Sequence, residues 1–228
     1  MTKNGIDVSE WQGDIDWSAV TADFVIIRAG YGRLEKQKDE KFEQNYAGAK
    51  AAGIPVGAYW YSYAMSEDEA RLEAETCLKV IAGKRFEYPI YLDIEEQRTL
   101  SLGKAAVTAI IKAFLDKVES AGYWVGLYMS ASPLSAYVSE SVRNRYAVWV
   151  AHYGVSKPSY SGSYGMWQLS STGSVPGISG NADLDECYVD YPKLIKKSGC
   201  NGYAPEPPTK TVRLTIDGTT WEGELHKV

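Results

Sequence analysis

The sequence predicts an α/β fold: an irregular β/α barrel, similar to a TIM barrel, with about five β/α units followed by three strands with little helix. Short β-like runs alternate with helical runs from residue 5 to residue 129, and this alternation is typical of a parallel sheet. About eight strand-like runs fall within about 200 residues, which favours a closed barrel over an open sheet. No glycine-rich phosphate loop follows the first strand, so the sequence does not favour a dinucleotide-binding fold.

The first half of the chain supplies strand and helix signals in alternation. The run FVIIRA is almost continuously apolar, as expected of a strand buried on both faces. Gly53 and Pro55 end the first helix, and Ser66 with Glu69 forms a predicted capping box at the start of the second. The predicted strands are residues 5–8, 24–29, 56–63 and 89–94, and the predicted helices are residues 41–52 and 66–81.

The second half of the chain holds one long helix and then mostly strands. Residues 104–121 carry an apolar stripe at helical spacing, and Gly122 ends that helix. The predicted strands are residues 125–129, 146–151, 164–169 and 181–187, and residues 191–197 are predicted to form a closing helix. Because the later units lack full helices, we expect the barrel to be irregular on its C-terminal side.

The character of the chain changes after residue 203. We assign residues 1–203 to the barrel, residues 204–210 to a Pro-rich, semi-rigid linker, and residues 211–228 to a hairpin-like segment. Asp217-Gly218 is a hairpin turn signal within an alternating apolar and polar run. One hairpin is marginally stable alone, so we interpret this segment as a fragment of a C-terminal module or as an oligomerisation arm. The alternative is a partly ordered tail.

The composition excludes several classes of protein. The net charge is −5 without a basic stripe, so we expect no nucleic-acid partner. No run is long and apolar enough to span a membrane, and no apolar leader is present, so we expect no signal peptide in this chain. Three cysteines form no disulfide framework and match no zinc spacing, and we expect neither a metal nor a cofactor. The 17 Tyr and 7 Trp against 4 Phe fit either a sugar-binding groove or an aromatic core.

Carboxylates recur where the predicted strands end, which is where barrel enzymes hold their active residues. Asp7 ends the first strand, Asp93 and Glu95 end the fourth, and Asp183 and Asp185 lie in the last. Residues two apart in a strand face the same side, so both acids of Asp93-Ile94-Glu95 share one face. Two like charges that lie close raise the pKa of one member. That carboxyl can stay protonated as a general acid, while the other stays ionised and stabilises positive charge in the transition state.

Six short motifs occur in order, and together they are far more specific than any one of them. They are GIDVSEWQG (5–13), RAGYG (28–32), GAYWY (57–61), YLDIE (91–95), WVA (149–151) and DLD (183–185). With these motifs the chain resembles glycoside hydrolase family 25, the lysozymes found in phage endolysins and bacterial autolysins. The resemblance covers roughly residues 4 to 197.

The resemblance implies cleavage of the β-1,4 bond between N-acetylmuramic acid and N-acetylglucosamine in bacterial peptidoglycan. It implies that Glu95 is the general acid and that Asp93 is its partner, which either stabilises charge or orients the acetamido group of the substrate. Asp7 and Asp183 complete the implied cluster. An acetamido-assisted route and direct attack by water both stay open. Such an enzyme acts at the cell wall, and we expect it to be phage-encoded and released by a holin, or exported by another route.

Aromatic residues at the predicted strand ends either line a sugar groove or fill the core. The predicted substrate-binding aromatics are Tyr31, Tyr59, Tyr61, Tyr128 and Trp149. Gln168 is predicted to hydrogen-bond the substrate or Asp183, and the alternative is a satisfied amide at the barrel end. Arg28 is expected to pair with buried acids.

Three other functions compete with this interpretation. A chitinase-like hydrolase has two further acids before its final pair, and here Tyr88 and Tyr91 stand at those positions. A catalytically inert wall-binding module fits the fold equally well, but all four expected carboxylates are present. A metal-dependent deacetylase needs histidine ligands, and the chain has only His152 and His226.

Overall fold

A computed structural model describes residues 2–205 and 210–225, and the first of these ranges contains a closed eight-stranded barrel. Its strands are β1 (Lys3–Val8), β2 (Phe24–Tyr31), β3 (Val56–Tyr61), β4 (Ile90–Asp93), β5 (Val125–Ser130), β6 (Ala147–Ala151), β7 (Met166–Gly173) and β8 (Ala182–Cys187). The strands follow one another around the barrel in chain order. β1 to β7 form a parallel series, whereas β8 runs antiparallel to both β7 and β1.

Helices connect the earlier strands and become sparse toward the later ones. The α-helices in the described residues are α1 (Phe42–Ala51), α2 (Glu67–Ile81), α3 (Gln97–Leu100), α4 (Lys104–Ser120), α5 (Ala131–Tyr137), α6 (Glu140–Arg145) and α7 (Tyr191–Ser198). The fully described connections 152–165 and 174–181, on either side of β7, contain no helix. The predicted fold class, an irregular barrel whose last strands carry little helix, is confirmed.

β1 is joined to β2 through a 3-10 turn at Glu10–Gln12 without an α-helix, and no helix was predicted there. One connection differs from the sequence prediction. Between β5 and β6 the chain forms α5 and α6, which were not predicted, and these helices have only seven and six residues. An apolar stripe needs about three turns of helix to be recognised as periodic, so helices this short leave no clear pattern in the sequence.

Alternate residues of each strand point into the barrel or out toward the helices, and two apolar cores result. In β2, Phe24 and Ile26 belong to the inner core, while Val25 and Ile27 belong to the outer core against the helices. The inner core is rich in aromatic rings and includes the fully buried Tyr91. The barrel interior is therefore packed with side chains and is not a pore.

Two glycines make room for the rings of the inner core. A Cβ atom added at Gly5 would lie 2.2 Å from the ring of Phe24, and one added at Gly126 would lie 2.4 Å from the ring of Tyr91. Side chains at these two strand positions would displace the rings that fill the barrel, so small and large residues alternate across facing strands.

The predicted capping box of α2 is only half formed. Ser66 Oγ accepts a hydrogen bond from the backbone N–H of Glu69 at 3.2 Å, as expected. The Glu69 carboxylate, however, accepts from the N–H of Met65 at 2.8 Å instead of that of Ser66. It also pairs with Arg33 in the loop after β2, so this side chain ties the helix start to a neighbouring loop.

The C-terminal segment forms a two-stranded sheet of its own, β9 (Lys210–Ile216) and β10 (Thr219–Leu225). Its turn is at Asp217 and Gly218, which both have positive φ angles of 50° and 79°, as a tight hairpin turn with two left-handed residues requires. The two strands pair as an antiparallel hairpin, and the assignment of this segment to a further module stays a prediction. Of the predicted linker, residues 206–209 lie outside the described residues, as do residues 226–228.

Two further expectations concern membranes and cysteines. In the part of the chain that the structure describes, no helix combines the length and the apolar character needed to cross a bilayer. The cysteines Cys77, Cys187 and Cys200 are all free thiols.

Candidate active site

An acidic cavity of about 230 Å³ opens at the end of the barrel where the parallel strands finish. Its lining residues are Asp7, Arg28, Tyr59, Tyr61, Asp93, Glu95, Tyr128, Trp149, Tyr153, Gln168 and Asp183. These include all four carboxylates predicted to be catalytic and all but one of the predicted substrate-binding residues. The exception is Tyr31, which lies beside the cavity with its ring 6.0 Å from that of Tyr63.

Strand register explains why residues so far apart in sequence lie at one level. Across neighbouring parallel strands the paired residues are Tyr31 with Tyr61, Tyr61 with Asp93, Asp93 with Tyr128, and Tyr128 with Trp149. A bulge in β2 between Arg28 and Gly30 shifts the alternation, so that both Arg28 and Tyr31 point to the cavity side of the sheet.

Asp183 lies at the cavity because of the direction of β8, which the order of the strands alone does not predict. The sequence pattern predicts a parallel sheet, in which active residues lie at the carboxyl ends of strands. Because β8 is antiparallel, its beginning lies at this end of the barrel, and Asp183 pairs directly with Asp7 of β1. The site residue therefore comes from the start of the last strand.

Asp7 is buried at the floor of the cavity, with 5% of its surface exposed. The pKa of its carboxyl is raised above the ordinary value, first by burial and then by the nearby charges of Asp185 and Asp183. One hydrogen bond opposes this effect, because Gln168 Nε2 donates to Asp7 Oδ2 at 2.6 Å.

The side-chain amide of Gln168 hydrogen-bonds three residues around the cavity. Besides donating to Asp7, its Oε1 accepts from the hydroxyls of Tyr128 at 2.6 Å and Tyr153 at 2.5 Å. The predicted hydrogen bond to Asp183 does not form, and the partner is Asp7. Gln168 therefore holds Asp7 and two tyrosines in fixed positions, which is the satisfied barrel-end amide that the sequence also allowed.

Asp93 and Glu95 occupy different depths of the same wall. Asp93 is 5% exposed, and the pKa of its carboxyl is raised by burial and by the charge of Glu95, against a smaller lowering effect of Arg28. Its Oδ1 is buried and accepts no hydrogen bond from the described residues. Glu95 stands at the open mouth, and partial desolvation together with the charges of Asp183 and Glu96 raises its pKa.

Asp183 and Asp185 share a face of β8 but have different surroundings. Asp183 is half-buried and lines the cavity, and burial raises its pKa from 3.8 to about 6. Asp185 is 1% exposed and lies behind the cavity, where its Oδ1 accepts from Trp149 Nε1 at 2.8 Å. The pKa of Asp185 is also raised, chiefly by burial. This placement agrees with the choice of Asp183 over Asp185 as the site residue.

Arg28 is the only basic residue among those that line the acidic cavity. Its guanidinium is already paired, at 2.5 Å from Glu10 Oε1 and 2.7 Å from Asp39 Oδ2. Of these two acids, Asp39 is buried, as expected, whereas Glu10 is partly exposed. Among the described residues, none of the four cavity carboxyls forms an ion pair, because Arg28 is already paired with these two acids.

The predicted aromatic residues line the cavity and also pack in the core of the barrel. Trp149 is 1% exposed, and its ring packs edge-on against Tyr128 at 4.5 Å and Tyr91 at 5.2 Å. Tyr59 and Tyr61 are half-buried and line the cavity. Sequence reasoning missed Tyr153, although period two from Trp149 through Ala151 places it on the cavity side just beyond the end of β6.

This arrangement can donate a proton and stabilise a cation in one place. A raised pKa favours the protonated form of a carboxyl, so the one at the open mouth can act as a general acid. Deprotonated neighbours in an environment of low dielectric attract a positively charged transition state strongly. The tyrosine hydroxyls and ring faces around them suit a sugar, which has polar hydroxyls and apolar C–H faces.

Comparison with known proteins finds similarity along most of the chain. The profile described as "Glycosyl hydrolases family 25" matches residues 6–178, a range that includes Asp7, Asp93 and Glu95 but stops before Asp183. The chain is 34% identical over 185 residues to an "Autolytic lysozyme" of Clostridium acetobutylicum. That match covers 80% of this chain and 55% of the relative, so the chain spans little more than half the length of that lysozyme.

Solved structures show the same similarity in three dimensions. The barrel superposes on a bacterial lysozyme from Streptomyces coelicolor with a TM-score of 0.75 at 29% identity, over 89% of this chain and 98% of that one. It also superposes on the modular autolysin LytC of Streptococcus pneumoniae, solved with a synthetic peptidoglycan ligand. That match has a TM-score of 0.71 at 30% identity and covers 82% of this chain and 47% of that one.

Proposed function

The chain belongs to family 25 of the glycosyl hydrolases, and we propose that it is a lysozyme that hydrolyses the β-1,4 bond between N-acetylmuramic acid and N-acetylglucosamine in bacterial peptidoglycan. One observation carries this proposal: four carboxyl groups with raised pKa values surround a single cavity whose only cation is already paired. Such a cavity favours a positively charged transition state, and glycoside hydrolysis passes through one. Relatives named as lysozymes support the choice of bond.

Glu95 is the general acid of the proposed reaction. It stands at the mouth of the cavity, where a glycosidic oxygen can reach it. Partial desolvation and the charges of Asp183 and Glu96 raise its pKa, which favours the protonated form that a general acid needs. As the bond between C1 and the bridging oxygen breaks, this proton passes to the leaving oxygen and the sugar left behind gains positive charge.

Asp93 is the partner of Glu95 in this proposal. Its unpartnered, buried Oδ1 offers a hydrogen-bond acceptor to the acetamido N–H of the substrate, because a buried carboxylate oxygen without a partner is unfavourable until something donates to it. When ionised, the same carboxylate stabilises the developing positive charge. Asp7 and Asp183 add negative charge on the facing strands, and both acetamido-assisted attack and direct attack by water are compatible with this cluster.

The substrate places the action of the enzyme at the bacterial cell wall. Tyr59, Tyr61 and Tyr128 contribute the walls that contact the sugar rings, with Trp149 behind them. The C-terminal hairpin is proposed to belong to a wall-targeting module or to an oligomerisation arm. A tethered binding module would raise the local concentration of the barrel at the wall.

The test is release of muropeptides from purified Gram-positive cell walls by the wild-type chain and by Glu95→Gln. We expect new N-acetylmuramic acid reducing ends, identified by mass spectrometry, and a loss of about 10²- to 10⁴-fold in the variant, which is the usual contribution of a general acid. Glu75→Gln is the matched control, because Glu75 pairs with Lys117 on the exposed faces of α2 and α4.

The products separate the alternatives. New N-acetylglucosamine ends would make the enzyme a glucosaminidase and the assigned bond wrong. Binding to walls without any release would favour an inert wall-binding module instead of an enzyme.

A further inference from the structure

A second cavity of about 320 Å³ lies beside the acidic cavity. It is formed by the loops after β2 and β3, together with residues of α2 and α3. The two cavities are separated by a pair of tyrosines, because Tyr61 lines the acidic cavity and Tyr63 lines the second one. The ring centroids of this pair are 5.1 Å apart. A ligand held in the acidic cavity therefore needs to extend only across one aromatic pair to enter the second cavity.

The second cavity presents guanidinium groups with unused hydrogen-bond donors. Arg98 is 68% exposed, and its closest ion-pair contact is 3.7 Å to Glu96, which is beyond hydrogen-bond distance. Arg33 pairs with Glu69 through a single nitrogen. Arg33, Arg98 and Glu69 all line this cavity. The pKa of the Glu69 carboxyl is lowered first by the hydrogen bond from the N–H of Met65 and also by the two guanidiniums.

The acids of this cavity are already occupied. Both oxygens of Glu69 accept hydrogen bonds, from Arg33 and from the N–H of Met65. Glu73 is 2% exposed, and it accepts from Ser62 Oγ at 2.6 Å and the N–H of Tyr63 at 2.9 Å. The groups of this cavity that remain available to a ligand are therefore the N–H donors of the guanidiniums. Such cationic donors prefer a carboxylate as their acceptor.

The rim of the second cavity is apolar. Leu34, Tyr63 and Met65 line it and are 47%, 38% and 37% exposed. Exposed apolar side chains that surround cationic donors suit a ligand with small apolar side chains and carboxylates, such as a short acidic peptide. A glycan strand without its peptides keeps only the lactyl carboxylate of each muramic acid, which is held beside its own sugar ring, whereas a stem peptide carries carboxylates farther along a flexible chain and can place them against the two guanidiniums.

We propose that this second cavity binds the acidic stem peptide that muramic acid carries on its lactyl group, with Arg98 and Arg33 contacting a peptide carboxylate. The inference rests on the proposed function, because the muramic acid must occupy the acidic cavity for its peptide to reach the second one. It makes Arg98 a specificity-determining residue that distinguishes peptide-bearing glycan from bare glycan.

The test compares two substrates made from one wall preparation: glycan that keeps its stem peptides, and the same glycan after an amidase has removed them. For the wild type we expect the higher kcat/KM on the peptide-bearing glycan. In Arg98→Gln the ratio of kcat/KM on the two substrates falls about three- to tenfold, the range expected for one partly exposed charge-assisted contact. Arg71→Gln, an exposed arginine of α2 outside this cavity, leaves the ratio unchanged.

A binding measurement separates this inference from the proposed function. Calorimetric titration of Glu95→Gln with a soluble N-acetylmuramoyl peptide, and with N-acetylmuramic acid alone, measures peptide binding without turnover. Tighter binding of the peptide form that is lost on adding Arg98→Gln supports the second cavity even if no bond is cleaved. Equal binding of both ligands overturns the inference. So does an equal loss of kcat/KM in Arg98→Gln on both glycan substrates. In either case, cleavage by the wild type leaves the proposed function intact.

Discussion

The acids of the cavity and the acids of the outer surface have opposite electrostatic surroundings. On the surface, Glu35 lies 2.5 Å from Lys79 and Asp14 lies 2.5 Å from Lys41, and these hydrogen bonds lower the pKa of both carboxyls. In the cavity, the pKa values of Asp7 and Asp93 are raised by burial and by neighbouring acids. These two surface carboxylates are thus each paired with a lysine, whereas the carboxyls gathered in the cavity lie among other acids.

The difference shows that the acid cluster opposes folding at neutral pH. A carboxyl whose pKa is raised in the folded state contributes stability that is present below its unfolded pKa and is lost as pH rises through the folded pKa. For Asp183 this window runs from 3.8 to about 6. The packed inner and outer cores must offset this loss, and the cluster is retained for what it can do chemically.

The largest expected change in stability comes from replacing Arg28, the cation at the edge of the acid cluster. Arg28→Met leaves Asp39, whose side chain is fully buried, without its partner. A buried charge that loses its partner costs about 3–5 kcal/mol, so we expect a loss of about 3 kcal/mol in the free energy of unfolding, measured by urea denaturation at pH 7.

The controls for this variant are Arg71→Met and Lys79→Gln, which break exposed pairs. Exposed pairs contribute little and are screened by salt, so neither variant should change the free energy of unfolding resolvably in the same urea denaturation. If Arg28→Met were as mild as these controls, the contrast between the two groups of acids would be wrong.

The second prediction concerns pH dependence. The charge of Asp183 raises the pKa of Glu95, so Asp183→Asn lowers that pKa and Glu95 loses its proton at lower pH. The falling limb of the profile of kcat/KM against pH should therefore move to lower pH, with a loss of about 10- to 100-fold at pH 7, within the range of acid–base contributions. Glu186→Asn, an exchange on the same strand outside the cavity lining, should leave the limb in place. A limb that stays fixed in Asp183→Asn would show that Asp183 does not act on the general acid.

The third and smallest effect is a gain in stability. Asp185→Asn keeps an oxygen that can accept from Trp149 Nε1 and removes a buried charge that raises the pKa of Asp7. We expect a gain of about 1 kcal/mol at pH 7, the ordinary size of a single-substitution effect. The gain should shrink as the pH falls, because the raised pKa of Asp185 favours the neutral acid, which asparagine resembles in charge. Thermal unfolding at pH 7 and at lower pH measures it, and a destabilised variant at pH 7 would contradict the assignment.

Much of the fold and of the cavity was predictable because both depend on local periodicity. Strands with period two and a helical stripe at residues 104–121 indicated the barrel, and Asp93-Ile94-Glu95 indicated two acids on one face. The direction of β8 was not predictable, since an alternating run such as residues 181–187 pairs equally well in either direction. The position of Tyr31 depends on the β2 bulge, and the second cavity depends on loops whose side chains meet only in three dimensions.

The pairing of β1 with β8 also has a consequence for how the enzyme is made. Of the four acids, Asp7 on the first strand of the barrel is translated before the others, and Asp183, its partner across the seam of the barrel, is translated last. Until the final strand has been translated and has closed the ring, the nascent chain holds an incomplete set of acids. Synthesis therefore delays the assembly of the complete acid cluster until the barrel itself is finished.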